Sequence, residues 1–397
     1  MWFDRDIGAR IRRVAQQFPA LVLTGARQTG KTALLRNLFP AATFVSLDLP
    51  SMAHQADTAG DEFIRDQPEP LIVDEIQYAP GLFRHLKRLI DTDRHRMGRF
   101  LMTGSQKFQL MQSVSESLAG RCAVLELDTL SVAEVRAALG ENTPPPAEML
   151  WRGGYPELHR SPSLDPRDFF TGYVATYLER DVRQLMRVAS LRDFERFIRA
   201  CALRGGQLLN LAELARDVAI AGSMARDWLS VLEASGQVVL LEPWFNNAGK
   251  RMIKTPKLYF RDTGLMCFLL GLDSAAALER SPFLGHVWET FILGQMLRAK
   301  QATGTAANVF FWRDAQGTEV DFVIEHEGRL RLVEAKWAAQ IEDTRVATPL
   351  LKVRNQLGKK AADEHWILCR TARSHRWPRE PGVRILNGYE FTGWFPT

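Results

Sequence analysis

Three short runs in this 397-residue chain carry residue types at spacings that do chemistry. The first is LVLT, an apolar strand-like stretch, followed by Gly25-Ala26-Arg27-Gln28-Thr29-Gly30-Lys31-Thr32 and a helix-compatible ALLRNLF. In the order strand, loop, helix, the backbone N–H groups from Gly25 to Gly30 curl around phosphate oxygens and the helix N-terminus adds positive dipole. Lys31 then reaches the β- and γ-phosphates of a nucleotide, and the Thr32 hydroxyl is placed to ligate Mg²⁺. The second run, PLIVDEIQ, is a fully apolar strand ending in Asp74 and Glu75. There Asp74 holds the Mg²⁺ through water and Glu75 polarises an attacking water. The third lies far downstream, where TEVDFVIEHEGRLRLVEAKW presents Asp321, Glu334 and Lys336 on two alternating strands.

These side chains need elements to position them. The strand FLMTGS ends in Thr103 and Ser105, which a parallel sheet would bring to the γ-phosphate between the other two strands. In the downstream hairpin, closure around His326-Glu327-Gly328-Arg329 sets Asp321 opposite Glu334 and Glu319 opposite Lys336. Like charges opposed on one face repel unless a cation sits between them. The preceding helix HVWETFILGQML puts Glu289 on one face with Leu293 and Met296, so that carboxylate needs a partner too. Asp321, Glu334, Lys336 and Glu289 form the pattern of PD-(D/E)XK nucleases: Mg²⁺ held by the acids, and Lys336 orienting or activating the water for phosphodiester cleavage. The other reading is an internal salt-bridge network of Asp321, Glu334, Lys336 and Arg331.

Between these regions, residues 208–245 read as a helix-turn-helix with a wing. Asn210 and Glu213 start one helix, Ser223 can cap the next, and Val238–Phe245 pairs with Arg251–Phe260 around Asn246-Asn247. Lys250, Arg251, Lys254 and Lys257 cluster on the wing, where they would contact DNA phosphates. Winged helices also serve as packing modules.

The runs LTGARQTGKT, LIVDEIQ, LMTGSQKFQLMQSVSESLAGR, Gly153-Gly154-Tyr155-Pro156-Glu157, TYLERDVRQL and KTPKLYFRDTGL, in this order, resemble prokaryotic ATPases that join an AAA-type domain to a C-terminal DUF4143 region. The resemblance implies AAA+ or STAND-like ATP binding with Mg²⁺. It further implies an arginine finger at Arg121 that works in trans, hence a homo-oligomer and possibly a ring. A contact of Pro156 with the base and a sensor 2 arginine at Arg180 or Arg183 follow from it as well. Arg121 also reads as a cation helping a helix C-terminus, Gly154-Tyr155-Pro156 as an ordinary turn, and the two arginines as solvated pairs.

The fold expected is α/β in four parts: a P-loop AAA+ core with a parallel sheet and flanking helices over 1–130, a helical lid over 131–190, a winged helix-turn-helix over 191–262, and an α/β nuclease-like domain over 263–397. Two functions suit it. One is an ATP-driven protein acting on DNA, branched or broken ends among its substrates. The other is a nucleotide-controlled switch of STAND or toxin-antitoxin type that binds a protein partner and cuts nothing.

Composition limits the remaining classes. The formal charge of +5 permits a nucleic-acid partner without requiring one. Cys122, Cys201, Cys267 and Cys369 lack a C-x-x-C pair, which excludes a zinc ribbon and fits a reducing compartment. A charged N-terminus and the lack of a long apolar run point to the cytoplasm rather than a membrane. No G-x-S-x-G elbow supports acyl hydrolysis, the histidines show no metal-ligand spacing, and the tryptophans read as core.

Overall fold

A computed structural model describes residues 1–105, 114, 117–177, 191–245, 254–378 and 380–395. The chain opens with helix α1 (Gly8–Ala15), strand β1 (Ala20–Thr24), helix α2 (Lys31–Leu38), and strands β2 (Thr43–Ser46) and β3 (Leu71–Asp74). Helix α3 (Leu82–Thr92), strand β4 (Phe100–Gly104) and strand β5 (Cys122–Glu126) complete the first domain. Its five strands are all parallel in the order β2-β3-β4-β1-β5. Every residue of β1, β3 and β4 is buried, as expected of strands covered on both faces. Alternate residues serve two cores: Val22, Val73 and Met102 on one side, Leu23, Ile72 and Leu101 on the other. The consequence is that β1, β3 and β4 deliver the P-loop, Asp74 and Thr103 to one edge of the sheet.

A helical segment follows. Helix α4 (Val132–Leu139) starts with a capping box in which Ser131 and Glu134 satisfy each other's backbone N–H groups. Short helices at Pro146–Arg152, Pro156–Arg160 and Pro166–Tyr177 come next.

The winged helix is present. Helices α5 (Leu191–Leu203), α6 (Leu211–Val218) and α7 (Gly222–Ala234) pack on a small antiparallel sheet of β6 (Gln207–Leu208), β7 (Val238–Leu241) and β8 (Lys257–Phe260), ordered β6-β8-β7. Phe194 and Phe197 flank the Trp228 ring at 5.3 and 5.5 Å. Asn210 accepts from the Glu213 N–H as the cap of α6, but α7 starts one residue before Ser223, which therefore caps nothing. The wing strands are also shorter than the sequence suggested. Beyond β7 the chain leaves its hairpin partner, because the Trp244 N–H donates to the Phe311 carbonyl at 2.8 Å and the two indoles of Trp244 and Trp312 stack. The wing is thereby stitched onto the last domain.

That domain begins with helix α8 (Leu284–Thr303) and continues through β9 (Asn308–Arg313), β10 (Glu319–His326), β11 (Arg329–Ala335), helix α9 (Thr348–Leu357), β12 (His365–Cys369), β13 (His375–Arg376) and β14 (Val383–Asn387). The sheet is mixed, in the order β13-β14-β12-β11-β10-β9: antiparallel from β9 to β11, parallel from β11 through β12 to β14.

Candidate functional site

At the C-terminal edge of the first sheet, Gly25 adopts φ +140°, and a Cβ there would meet the Leu127 carbonyl oxygen at 2.1 Å, so only glycine fits. Lys31 is buried, and its ammonium donates to the carbonyls of Gly25 (2.9 Å) and Ala26 (2.7 Å). The loop therefore already curls around a cation. The hydroxyls of Thr32 (2.6 Å) and Thr103 both donate to Asp74 Oδ1, and the Glu75 N–H donates to Thr103 Oγ1 at 3.3 Å. A carboxylate flanked by two hydroxyls is an all-oxygen set suited to a hard divalent ion, so these residues fit Mg²⁺. Glu75 itself sits in the left-handed region at φ +56°, and its side chain receives the Gln77 amide. Ser105 is buried at the same edge, and its hydroxyl has no partner among the described residues.

Beside the loop opens a pocket of about 540 Å³. Gln28, Thr29 and Gly30 form one wall, Pro156 and Phe169 another, and Trp2 and Phe3 a third. This is enough room for a planar base and its sugar.

The loop is gripped both from the chain's own N-terminal segment and from outside its domain. Arg5 donates to the carbonyls of Thr29 (2.9 Å) and Asp128 (2.7 Å) and to Glu134 (3.1 Å). Asp128 accepts from Arg261 (2.7 Å), just beyond β8, and from Gln301 (2.9 Å) of α8. Burial alone would raise the Asp128 carboxyl, but Arg261 and Arg298 hold it below the ordinary carboxylate value. Asp262 accepts from the Thr129 hydroxyl and the Gly154 N–H, and a Cβ on Gly153 would lie 2.2 Å from its carboxylate. Gly153 thus leaves room for Asp262, whereas a Cβ on Gly154 would meet the Leu130 carbonyl oxygen at 2.6 Å. A Cβ on Gly236 of the winged helix would stand 3.4 Å from the Ala26 nitrogen.

The second cluster lies between the wing and the last sheet. The hairpin closes through the pair His326↔Arg329, and the register from Phe322↔Val333 onward puts Asp321 across from Glu334, as counted from sequence. A bulge at this point of β10 re-aims the strand, and the Ala335 N–H donates to Asp321 Oδ2 at 2.9 Å. Lys336 Nζ stands 2.7 Å from Glu334 and 3.7 Å from Asp321. Glu289 accepts from the Tyr259 hydroxyl at 3.3 Å. Burial, then the charge of Asp321, pushes both Glu289 and Glu334 up to about 8.

Lys257 corrects the sequence reading. It is 2% exposed, and its ammonium pairs with Glu319, which also takes Arg313 at 2.6 Å. Burial works to lower its pKa, but Glu289, Asp321 and Glu319 outweigh it and hold the ammonium charged. A lysine so enclosed contacts no DNA phosphate. Lys254 is exposed, while Lys250 and Arg251 lie outside the described residues. Arg331 is not part of the network either, since it covers the Trp366 ring at 4.2 Å and donates to the Glu364 carbonyl. Among the described residues no three His, Cys, Asp or Glu side chains are grouped as a metal-binding cluster, while the charges of Asp321 and Glu319 act on Glu289 and those of Lys257 and Lys336 oppose them. Lysines compensate these acids instead.

The chain matches the family AAA_14, an AAA domain, over residues 17–136, DUF8612 over 146–276 and DUF4143 over 284–386, the last two described as domains of unknown function. The uncharacterized proteins Rv2008c of Mycobacterium tuberculosis and Mb2031c of Mycobacterium bovis are each 39% identical to it over 330 residues, 82% of this chain and 72% of theirs. The chain belongs to the AAA-type ATPases with a C-terminal DUF4143 region. Among solved structures, the Walker-type ATPase PabY2304 of Pyrococcus abyssi is 17% identical with a TM-score of 0.47, covering 68% of this chain and 96% of that one. The RuvB Holliday junction branch migration motor of Thermotoga maritima is 16% identical with a TM-score of 0.31, covering 60% and 89%.

In this DUF4143 ATPase, Arg121 immediately precedes β5, at the opposite end of the strands from the P-loop. The five-residue strand puts roughly 17 Å between them at about 3.3 Å per residue. It cannot reach this chain's own nucleotide, and it pairs with Asp91 through two contacts of 2.6 and 3.0 Å. Arg180 and Arg183 lie outside the described residues. Sequence reasoning missed Arg5, Gln77, Asp128, Arg261, Asp262 and Arg298. Of these Gln77 closed the quoted LIVDEIQ run and Arg261 and Asp262 stood in the RDT run after β8, but neither run gave a hint of where these side chains dock.

Proposed function

We propose that the protein hydrolyses ATP and works as a nucleotide-controlled switch, the state of its P-loop being passed to the winged helix and the C-terminal domain. The observation that carries this is the grip on the loop: Arg5 on the Thr29 carbonyl, Gly236 against Ala26, and Arg261 on Asp128 beside it. On binding, Lys31 exchanges the carbonyls of Gly25 and Ala26 for β- and γ-phosphate oxygens, and the loop must shift to admit them. Thr32 and Asp74 would hold Mg²⁺, which neutralises phosphate charge when bound. Glu75 orients a water onto the γ-phosphorus and takes its proton as the bond to the bridging β-oxygen breaks, leaving ADP and phosphate. Thr103 and Ser105 face the transferred group, Pro156 contacts the base, and in a homo-oligomer Arg121 leaves Asp91 for a neighbour's γ-phosphate. Four free cysteines suit a cytoplasmic setting.

A second reading, action on DNA, is favoured by one observation. Glu334 keeps one buried oxygen without a partner among the described residues opposite Asp321, with Lys336 partly exposed at the mouth. Mg²⁺ held by Asp321 and Glu334 would satisfy that oxygen, and Lys336 would orient the attacking water. Lys254 offers a phosphate contact.

Limited proteolysis with ADP, with a non-hydrolysable ATP analogue and without nucleotide separates the readings when run beside a cleavage gel of single-stranded, duplex and junction DNA. The switch predicts nucleotide-dependent protection in the winged helix and no cutting. Identical digestion in all three states overturns it, and DNA cleavage lost in Asp321→Ala establishes the second reading.

A further inference from the structure

We infer that Gln77 is a positioning residue for ATP hydrolysis, one that fixes the carboxylate of Glu75; this rests on the hydrolase reading above. Gln77 is 9% exposed and lies in the single 3₁₀ turn, Ile76–Tyr78, that follows β3. That turn starts from a left-handed Glu75, whose backbone is anchored by its N–H to Thr103 Oγ1. The reversal folds the side chain at position 77 back toward the one at 75, and Gln77 Nε2 donates to Glu75 Oε2. The amide orientation is set by this contact: turned over, it would oppose its oxygen to the carboxylate.

The other end of the amide carries the argument further. Gln77 Oε1 is buried and has no partner among the described residues. A buried acceptor left unpaired is costly, and such groups persist where the fold or the chemistry uses them. Here the gain is that one carboxylate oxygen is pinned and the other is left as the proton acceptor. Glu75 is then aimed by two independent restraints: its backbone through Thr103, the residue that also donates to Asp74, and its side chain through Gln77. Loss of the second restraint leaves phosphate binding intact, because the Lys31, Thr32 and Asp74 contacts do not pass through Gln77.

The test is steady-state ATP turnover of the full chain in Mg²⁺ for wild type, Gln77→Leu, Gln77→Glu and Lys31→Ala, together with ADP affinity and thermal midpoint of each. Gln77→Leu should lower kcat about tenfold or more, a part of the roughly hundredfold or greater contribution of a general base, with KM and ADP affinity within about twofold of wild type. Gln77→Glu, which keeps the shape but sets a second acid against Glu75, should lose at least as much. An unchanged or raised kcat in Gln77→Leu overturns the inference while Lys31→Ala is inactive. A drop accompanied by equal loss of ADP affinity and melting temperature overturns it as well, since that is a structural role. Wild-type protein without ATP turnover overturns the hydrolase reading and this inference with it.

Discussion

At the residue scale the site is built from groups that have little freedom. Gly25 cannot take a side chain, since a Cβ would be driven into the Leu127 carbonyl. Gly25→Ala should therefore lose nucleotide binding and about 2 kcal/mol or more of stability, checked by ADP titration and urea unfolding. His365 illustrates a different restraint. It is fully buried, its Nδ1 accepts the Leu332 N–H, and burial, reinforced by Arg354 and Arg331, pushes it down to about 4. A histidine depressed on folding binds its proton in the unfolded chain first. Stability should thus be intact above pH 6.5, the ordinary value, and fall by a few kcal/mol as pH drops toward 4. His365→Asn, whose amide oxygen can accept the same N–H, should flatten that slope in urea titrations across the window; an unchanged slope would contradict the assignment.

At the scale of elements, much of the arrangement was legible and the failures share a cause. The Gly25-to-Thr32 run could be read because its chemistry is contiguous, and Asp321 against Glu334 because hairpin register follows from counting. Gly153 and Gly154 stood inside a quoted run, yet Asp262, which Gly153 makes room for and to which the Gly154 N–H donates, stands more than a hundred residues away. Arg5 belongs to the same class: its partners at Asp128 and Glu134 leave no periodic trace in the sequence. Lys257 was misread because its neighbours in sequence are basic, whereas its environment is decided by the docking of β8 against β10 and α8. Lys257→Met leaves Glu319, Glu289 and Asp321 short of a buried cation. About 3 kcal/mol of stability should be lost, with DNA affinity, where any is measured, unchanged. Equal stability in that variant would mean that the wing does not depend on this charge.

At the scale of the whole molecule, the P-loop domain, the winged helix and the C-terminal domain are joined by charged contacts that converge beside the P-loop. In the proposed switch, phosphate binding and inter-domain packing would be coupled by linkage. ADP at a hundredfold excess over its dissociation constant should stabilise the wild type by about 2.7 kcal/mol, read as a rise in melting temperature that Lys31→Ala lacks. Arg261→Ala, which strips Asp128 of a partner, should weaken ADP binding although the charge it removes pairs with Asp128 and Glu126 rather than with phosphate-binding residues. The acids of the DUF4143 region are compensated by its own Lys336 and by Lys257 of the winged helix. The most direct test of the central claim is ATP turnover by the purified full chain in Mg²⁺, compared among wild type, Lys31→Ala and Glu75→Gln. Wild type should hydrolyse ATP, Lys31→Ala should not, and Glu75→Gln should bind nucleotide without turnover; hydrolysis that survives both substitutions would mean that Lys31 and Glu75 do not form the hydrolytic site.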